Sequence, residues 1–251
     1  MELEQLIAVA RGERGADLLL TNAKTVNTLT AEIEDGNVAV FGDRIAGVGS
    51  YDKARQVIDL DGAYVVPGLI DGHTHIESSL LHPSEYARAV VPRGISAIIT
   101  DLHEIANVSG LAGVRFVMEI ARTLPMDFHF MAPSCVPATH LETAGAALGP
   151  DELRPSLRWR DIIGLGEMMN FPGVLSRQPD IMRKLALFKG RPIDGHAPSL
   201  SGKDLNAYIA AGAGSDHEST SFAEGREKLR RGMYLMIREG SSEKNLDDLL
   251  P

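Results

Sequence analysis

The stretch Pro67-Gly68-Leu69-Ile70-Asp71-Gly72-His73-Thr74-His75 decides how the rest of the chain is read. Leu69 and Ile70 make a short apolar run suited to a buried strand, and two histidines follow with one residue between them. In extended chain, residues two apart point to the same side. His73 and His75 can therefore aim both imidazoles at one point, such as a divalent metal ion. Two surface histidines at a strand end satisfy the same spacing, so the weight rests on what the flanking sequence repeats.

Upstream of Pro67 the texture is all-β. Residues 17–22, 36–40, 44–49, 57–60 and 64–66 read as short strands, and Gly42-Asp43 as a tight hairpin turn. Residues 3–10 suit a short helix. These strands predict a small N-terminal β-sandwich over residues 1–67. From residue 68 to 251 strands and helices alternate, the pattern of a parallel sheet with crossover helices. Strands are expected at 69–71, 96–100, 127–132, 162–166, 191–194, just before Asp216, and at 233–237. Helices are expected at 84–91, 109–124, 151–159, 179–188, 201–211, 221–231 and 242–250. Ser109, Ser201 and Ser221 stand where helix N-caps belong, and Glu224 would complete a capping box with Ser221. The reading is α/β: a (β/α)8-type barrel with seven strands, one short of the eight that close such a barrel.

Composition narrows the function classes. The 251 residues are 44% hydrophobic and 24% charged, an ordinary globular balance. A formal net charge of -9 argues against a nucleic-acid backbone as partner. No apolar run is long enough to span a membrane, and residues 1–11 lack the features of a signal peptide. The single cysteine, Cys135, cannot form an internal disulfide, which fits a cytoplasmic location.

Barrel active sites gather at the C-terminal ends of the strands. Those ends carry His73 and His75, Asp101 and His103, Ser134 and Cys135, Glu167, His196, and Asp216-His217-Glu218. Imidazoles and a carboxylate are the ligand set of metal-assisted hydrolysis, in which a divalent ion lowers the pKa of water from about 15.7 towards 7. Glu167 follows an apolar strand, where a carboxylate without a partner is costly. His103 is open between a role supporting the ligands and a structural one. His82, His129 and His140 carry no spacing argument, and Cys135 reads as a buried, inert thiol.

Six stretches in order resemble the amidohydrolase superfamily and, within it, the adenine deaminases of bacteria and archaea. They are His73-Thr74-His75-Ile76-Glu77-Ser78-Ser79, Asp101-Leu102-His103-Glu104-Ile105-Ala106-Asn107-Val108, Pro133-Ser134-Cys135-Val136-Pro137-Ala138-Thr139, Gly166-Glu167-Met168-Met169-Asn170, Asp194-Gly195-His196-Ala197 and Ser215-Asp216-His217-Glu218. The resemblance implies hydrolysis of adenine by water, giving hypoxanthine and ammonia, as in purine salvage. It implies two divalent metal ions, manganese or iron, with zinc as a further option. Carried over by motif, His73 and His75 would hold one ion and His196 and His217 the other. Glu167 would bridge both, where many relatives place a carboxylated lysine. Glu167, His217 and Glu218 are the catalytic candidates, and Glu77, Asn170 and His103 the candidates for substrate contact. Two departures stand out: Leu102 replaces a usual proline, and no eighth strand ending in aspartate follows. The resemblance therefore implies the N-terminal portion of such an enzyme, working as a homo-oligomer or with a partner chain that supplies the eighth strand. Two further readings are a non-catalytic subunit and a cyclic amidase of the dihydroorotase or hydantoinase type. Glu167 in the place of a lysine argues against the last.

Overall fold

A computed structural model describes residues 3–139 and 141–250. The chain divides into two units, Met1–Gly68 and Leu69–Pro251. No helix among the described residues is long and apolar enough to cross a membrane.

The first unit holds α1 (Leu3–Ala10) and strands β1 (Ala16–Asn27), β2 (Glu32–Phe41), β3 (Arg44–Gly49), β4 (Ala54–Asp59) and β5 (Tyr64–Val65). The strands form a single mixed sheet in the order β3-β2-β1-β4, with β5 also paired to β1. Gly42, at φ 60°, turns the β2–β3 hairpin where Gly-Asp was expected to do so. Two facing sheets were expected; one sheet and a helix stand in their place. Val9 and Leu6 of α1 pack on Leu19, Ala39 and Phe41, so the helix supplies the apolar layer that a second sheet would have given.

The second unit is a parallel arc. Its strands are β6 (Leu69–Thr74), β7 (Ile95–Asp101), β8 (Asp127–Ala132), β9 (Ile162–Met168), β10 (Ile193–Gly195), β11 (Ser215–Asp216) and β12 (Tyr234–Leu235). β6 to β10 form one five-stranded sheet in chain order, and β11 pairs with β12. The N–H of Gly214 donates to Ile193 O at 3.0 Å, which links the two pieces. Every pairing is parallel, so all the strand C-termini face the same side. The central strands bury apolar side chains under the covering helices, and Ile98, Phe130 and Leu165 are fully buried. Between the strands lie α2 (Pro83–Val90), α3 (His103–Ala121), α4 (Pro150–Leu153), α5 (Phe171–Leu175), α6 (Pro179–Leu187), α7 (Gly202–Ala210) and α8 (Phe222–Arg230), and α9 (Leu246–Leu249) follows β12.

Several expected boundaries move. α3 starts at His103, six residues ahead of Ser109, with Leu102 at its N-cap. The helix instead breaks at Gly110, whose φ of 60° and ψ of -153° are open to glycine. Ser201 sits at the N-cap of α7 without a side-chain cap bond. Ser221 caps α8 through Glu224 N–H, yet the Glu224 carboxylate accepts from Ser199 N–H and Lys228 rather than closing a capping box. The helix expected at 242–250 shrinks to α9, because Gly240-Ser241-Ser242 turns instead of coiling. Helix α5 escaped notice although Asn170 caps it and Pro172 lies in its first turn.

The last turns of the arc are braced by a buried cation. Lys228 of α8 is fully buried, and its Nζ donates to Asp216 Oδ2 at 2.7 Å, Glu224 Oε1 at 2.8 Å, Ala197 O at 2.9 Å and Ser219 Oγ at 3.1 Å. Asp216 also accepts from the N–H groups of Ala197 and Glu218. One ion pair thus ties the loop after β10 to the loop after β11. Burial pushes the Asp216 carboxyl up, but Lys228 and the N–H donors outweigh it and hold it below its ordinary 3.8. Lys228→Met strands this carboxylate and should cost about 3–5 kcal/mol, read as a lower urea midpoint. The lowered pKa means the contribution is present above the unfolded value and lost as pH falls through the folded one. Wild-type stability should therefore fall on acidification below pH 3.8 more steeply than that of the variant. Equal midpoints and equal acid slopes would show that the brace carries no stability.

Candidate metal centre

Glu167 is the second-last residue of β9, and its side chain, 2% exposed, stands at the centre of the strand ends. The flanking Gly166 makes room for Asp101. A Cβ at Gly166 would lie 2.1 Å from Asp101 Oδ2, and that oxygen accepts the Glu167 N–H at 2.9 Å. Ser134 Oγ donates to the Glu167 carbonyl, so the backbone of Glu167 is held from both sides.

Four imidazoles close on the two carboxylate oxygens. His75 Nε2 lies 2.6 Å and His73 Nε2 3.1 Å from Oε1. His196 Nδ1 lies 2.7 Å and His217 Nε2 3.4 Å from Oε2. The rings of His73 and His217 stack at 4.0 Å. Glu218 Oε1 is 3.5 Å from His217 Nε2 and 3.9 Å from His196 Nδ1. His103 stands edge-on to His75 at 4.7 Å. Three overlapping groups could hold a metal ion: His73, Glu167 and His217; His75, His103 and Glu167; and His196, His217 and Glu218.

The protonation chemistry fits a cation. His75 Nδ1 lies 2.9 Å from the carbonyl of Asp101, which can only accept, so Nδ1 carries the hydrogen. In the neutral ring Nε2 then presents a lone pair to Oε1, and two acceptors 2.6 Å apart need a proton or a metal ion between them. Protons fill this role when no metal does. Burial disfavours charge on His73, yet Asp194 and Glu167 outweigh it and lift its pKa to about 10. Burial likewise opposes Asp101 at His103, where the carboxylate wins and the pKa is pushed up to about 9. Burial acts to raise the Glu167 carboxyl, but hydrogen bonds from the four histidines hold it far below the usual carboxylate range. His217 is pushed down by burial, towards the neutral form a metal ligand needs, and its buried Nδ1 has no partner.

A cavity of about 850 Å³ opens over this cluster, lined by His73, His75, His103, Glu167, His196, His217 and Glu218 among others. Two expected substrate contacts lie apart from it. The Asn170 side chain accepts the Gly173 N–H at 2.9 Å and caps α5. Glu77 accepts the Ile105 N–H at 3.2 Å and ties the loop after β6 to α3. Neither lines the cavity. Cys135 is buried, and burial pushes its thiol up, as suits an inert role. His82 caps α2, and His140 lies outside the described residues. Tyr86 and the segment from Met236 to Glu243 also line the cavity, and sequence reasoning passed over both. A tyrosine within an amphipathic helix and a polar loop carry no periodic signal.

An adenine deaminase of Dehalococcoides mccartyi is 59% identical over 249 residues, and another of Archaeoglobus fulgidus is 52% identical over 245. These alignments take in 99% and 98% of this chain but 44% of each relative, so the chain spans under half the length of the curated proteins it matches. Among solved structures, a Xaa-Pro dipeptidase with bound methionine superposes with a TM-score of 0.60 at 15% identity, over 87% of this chain and 66% of the other. N-acyl-D-glutamate deacylase from Bordetella bronchiseptica, complexed with zinc and a phosphonate inhibitor, gives 0.60 at 14% identity, over 88% and 58%. At such identities the likeness concerns the fold. A sequence profile of the amidohydrolase family matches residues 64–249. Since that match takes in every strand of the parallel arc and every histidine around Glu167, the chain belongs to the amidohydrolase family.

Proposed function

We propose that this chain carries the metal-binding part of an adenine deaminase, which hydrolyses adenine to hypoxanthine and ammonia. The observation that carries the reading is one buried carboxylate shared, oxygen by oxygen, among four imidazoles. The adenine specificity rests on the 59% identical relative. His73, His75, Glu167, His196 and His217 would hold two divalent cations, manganese or iron, with His103 and Glu218 close by. Bound cations of this kind acidify water and offset developing negative charge.

The chain's own residues do the rest. Glu167 supplies the anionic charge that lets two cations sit close together. Glu218 lines the cavity and is the group assigned to proton movement. The water oxygen bonds to the amino-bearing ring carbon, and the bond from that carbon to the amino nitrogen breaks. One water proton ends on the departing ammonia and the other on the adjacent ring nitrogen. The open edges of the arc, with Leu69 56% and Tyr234 78% exposed, favour a second copy or a further chain in the working protein. The single cysteine favours the cytoplasm.

Glu167→Gln should weaken divalent metal binding about 10–100-fold, because an amide cannot replace the shared negative charge. Full metal occupancy and unchanged turnover in that variant would remove Glu167 from the centre. Substrate choice is read by ammonia release from adenine and cytosine and by ring opening of dihydroorotate. The manganese-loaded chain is assayed alone and mixed with a polypeptide covering the remaining length of a relative. Adenine should be the preferred substrate, and the mixture should approach the ordinary enzyme range of about 1–10³ per second. Preference for cytosine or dihydroorotate would overturn the reading.

A further inference from the structure

The segment after β12 lines the cavity and brings in Arg238, the one permanently positive lining residue among the described residues. Its guanidinium donates to Glu218 Oε1 at 2.6 Å. Both ends of this pair are held independently. The Arg238 N–H donates to Asn245 Oδ1 at 2.8 Å, and Asn245 N–H returns to Arg238 O at 3.0 Å. The buried Asn245 side chain also donates to Ser219 O at 3.1 Å, one residue past Glu218. On the other side, Glu218 N–H donates to Asp216 Oδ2 at 3.1 Å, inside the Lys228 brace.

The contest at Glu218 Oε1 can be read from distances. Arg238 holds it at 2.6 Å, while His217 Nε2 stands 3.5 Å and His196 Nδ1 3.9 Å away. Glu218, His196 and His217 nonetheless have ligand atoms close enough to share one metal ion. A carboxylate drawn into a metal's coordination gives up its freedom to exchange protons with a substrate. A charge-assisted hydrogen bond to a guanidinium keeps it near the ion without binding to it. The Oε2 atom takes none of the hydrogen bonds found among the described residues.

The geometry points to Arg238 as the positioning residue that holds Glu218 off the metal and leaves its second oxygen facing the substrate. This rests on the metal-centre reading above. Arg238 acts through Glu218; it is not a catalytic residue.

The test is a double-mutant cycle on Mn²⁺ affinity, measured by equilibrium dialysis and by the EPR signal of free Mn²⁺. It uses the 251-residue chain, Arg238→Met, Glu218→Gln and the double variant. Removing Arg238 should tighten Mn²⁺ binding, because Glu218 is released to join the ligands. The gain should exceed the gain in the Glu218→Gln background by about tenfold. Arg238→Lys keeps one charged donor for the single contact and should return affinity towards wild type. If Arg238→Met does not fold, Arg238→Ala removes the charge and the donors together and completes the cycle. Equal gains in both backgrounds would mean simple charge repulsion and would overturn the inference, as would no gain at all. A wild-type chain that binds no Mn²⁺, Fe²⁺ or Zn²⁺ would overturn the metal reading first, an outcome distinct from a cycle without coupling.

Discussion

A carboxylate buried as deeply as Glu167 keeps its charge only if its surroundings replace water. Here the replacement is four imidazoles, while the ties of its own backbone to Asp101 and Ser134 hold the side chain in place among them. β6, β10 and β11 bring the four imidazoles that meet this carboxylate, so displacing any of these strand ends would leave charge unmatched. The demand runs outward. Asp101 accepts both the Glu167 N–H and a place over Gly166, while its carbonyl sets the tautomer of His75. On the far side Asp216 and Lys228 set the loops that present His196, His217 and Glu218.

The fold was legible where pattern repeats. Buried parallel strands leave apolar runs such as Ser96-Ala97-Ile98-Ile99-Thr100, and the polar residue at each end then marks the face of the site. His73 and His75 were legible for the same reason, since a period of two puts them on one side. What escaped lacks period. Arg238 sits in an irregular segment where nothing in the sequence says that its partner is Glu218. Lys228 looks like one more surface charge of an amphipathic helix, and only the tertiary contacts make it the buried member of a pair. Asn170 shows the opposite case. The resemblance offers it for substrate contact, and in the structure the backbone three residues on uses its oxygen as a helix cap.

The histidine cluster also shows how protons and cations trade places in a buried site. The high pKa values of His73 and His103 reflect carboxylates that demand positive charge close by. A divalent ion meets that demand better than protons spread over separate rings, and it displaces them on binding. The low basicity of His217 fits the same picture, for one ring must stay neutral when its neighbours carry charge.

The strands of the five-stranded sheet stand in chain order, β6 beside β7, β7 beside β8, and onward to β10. Each pairing therefore involves the strand made just before it. A ribosome releasing this chain can lay down the arc one strand at a time, with each crossover joining strands that are neighbours in the sequence. Glu167 arrives on β9 when His73 and His75 are already in place but His196 and His217 are not yet made. In chain order, the partners of one carboxylate oxygen precede Glu167 and the partners of the other follow it. The last of these residues to be synthesised, His217, is thus the one that completes the centre.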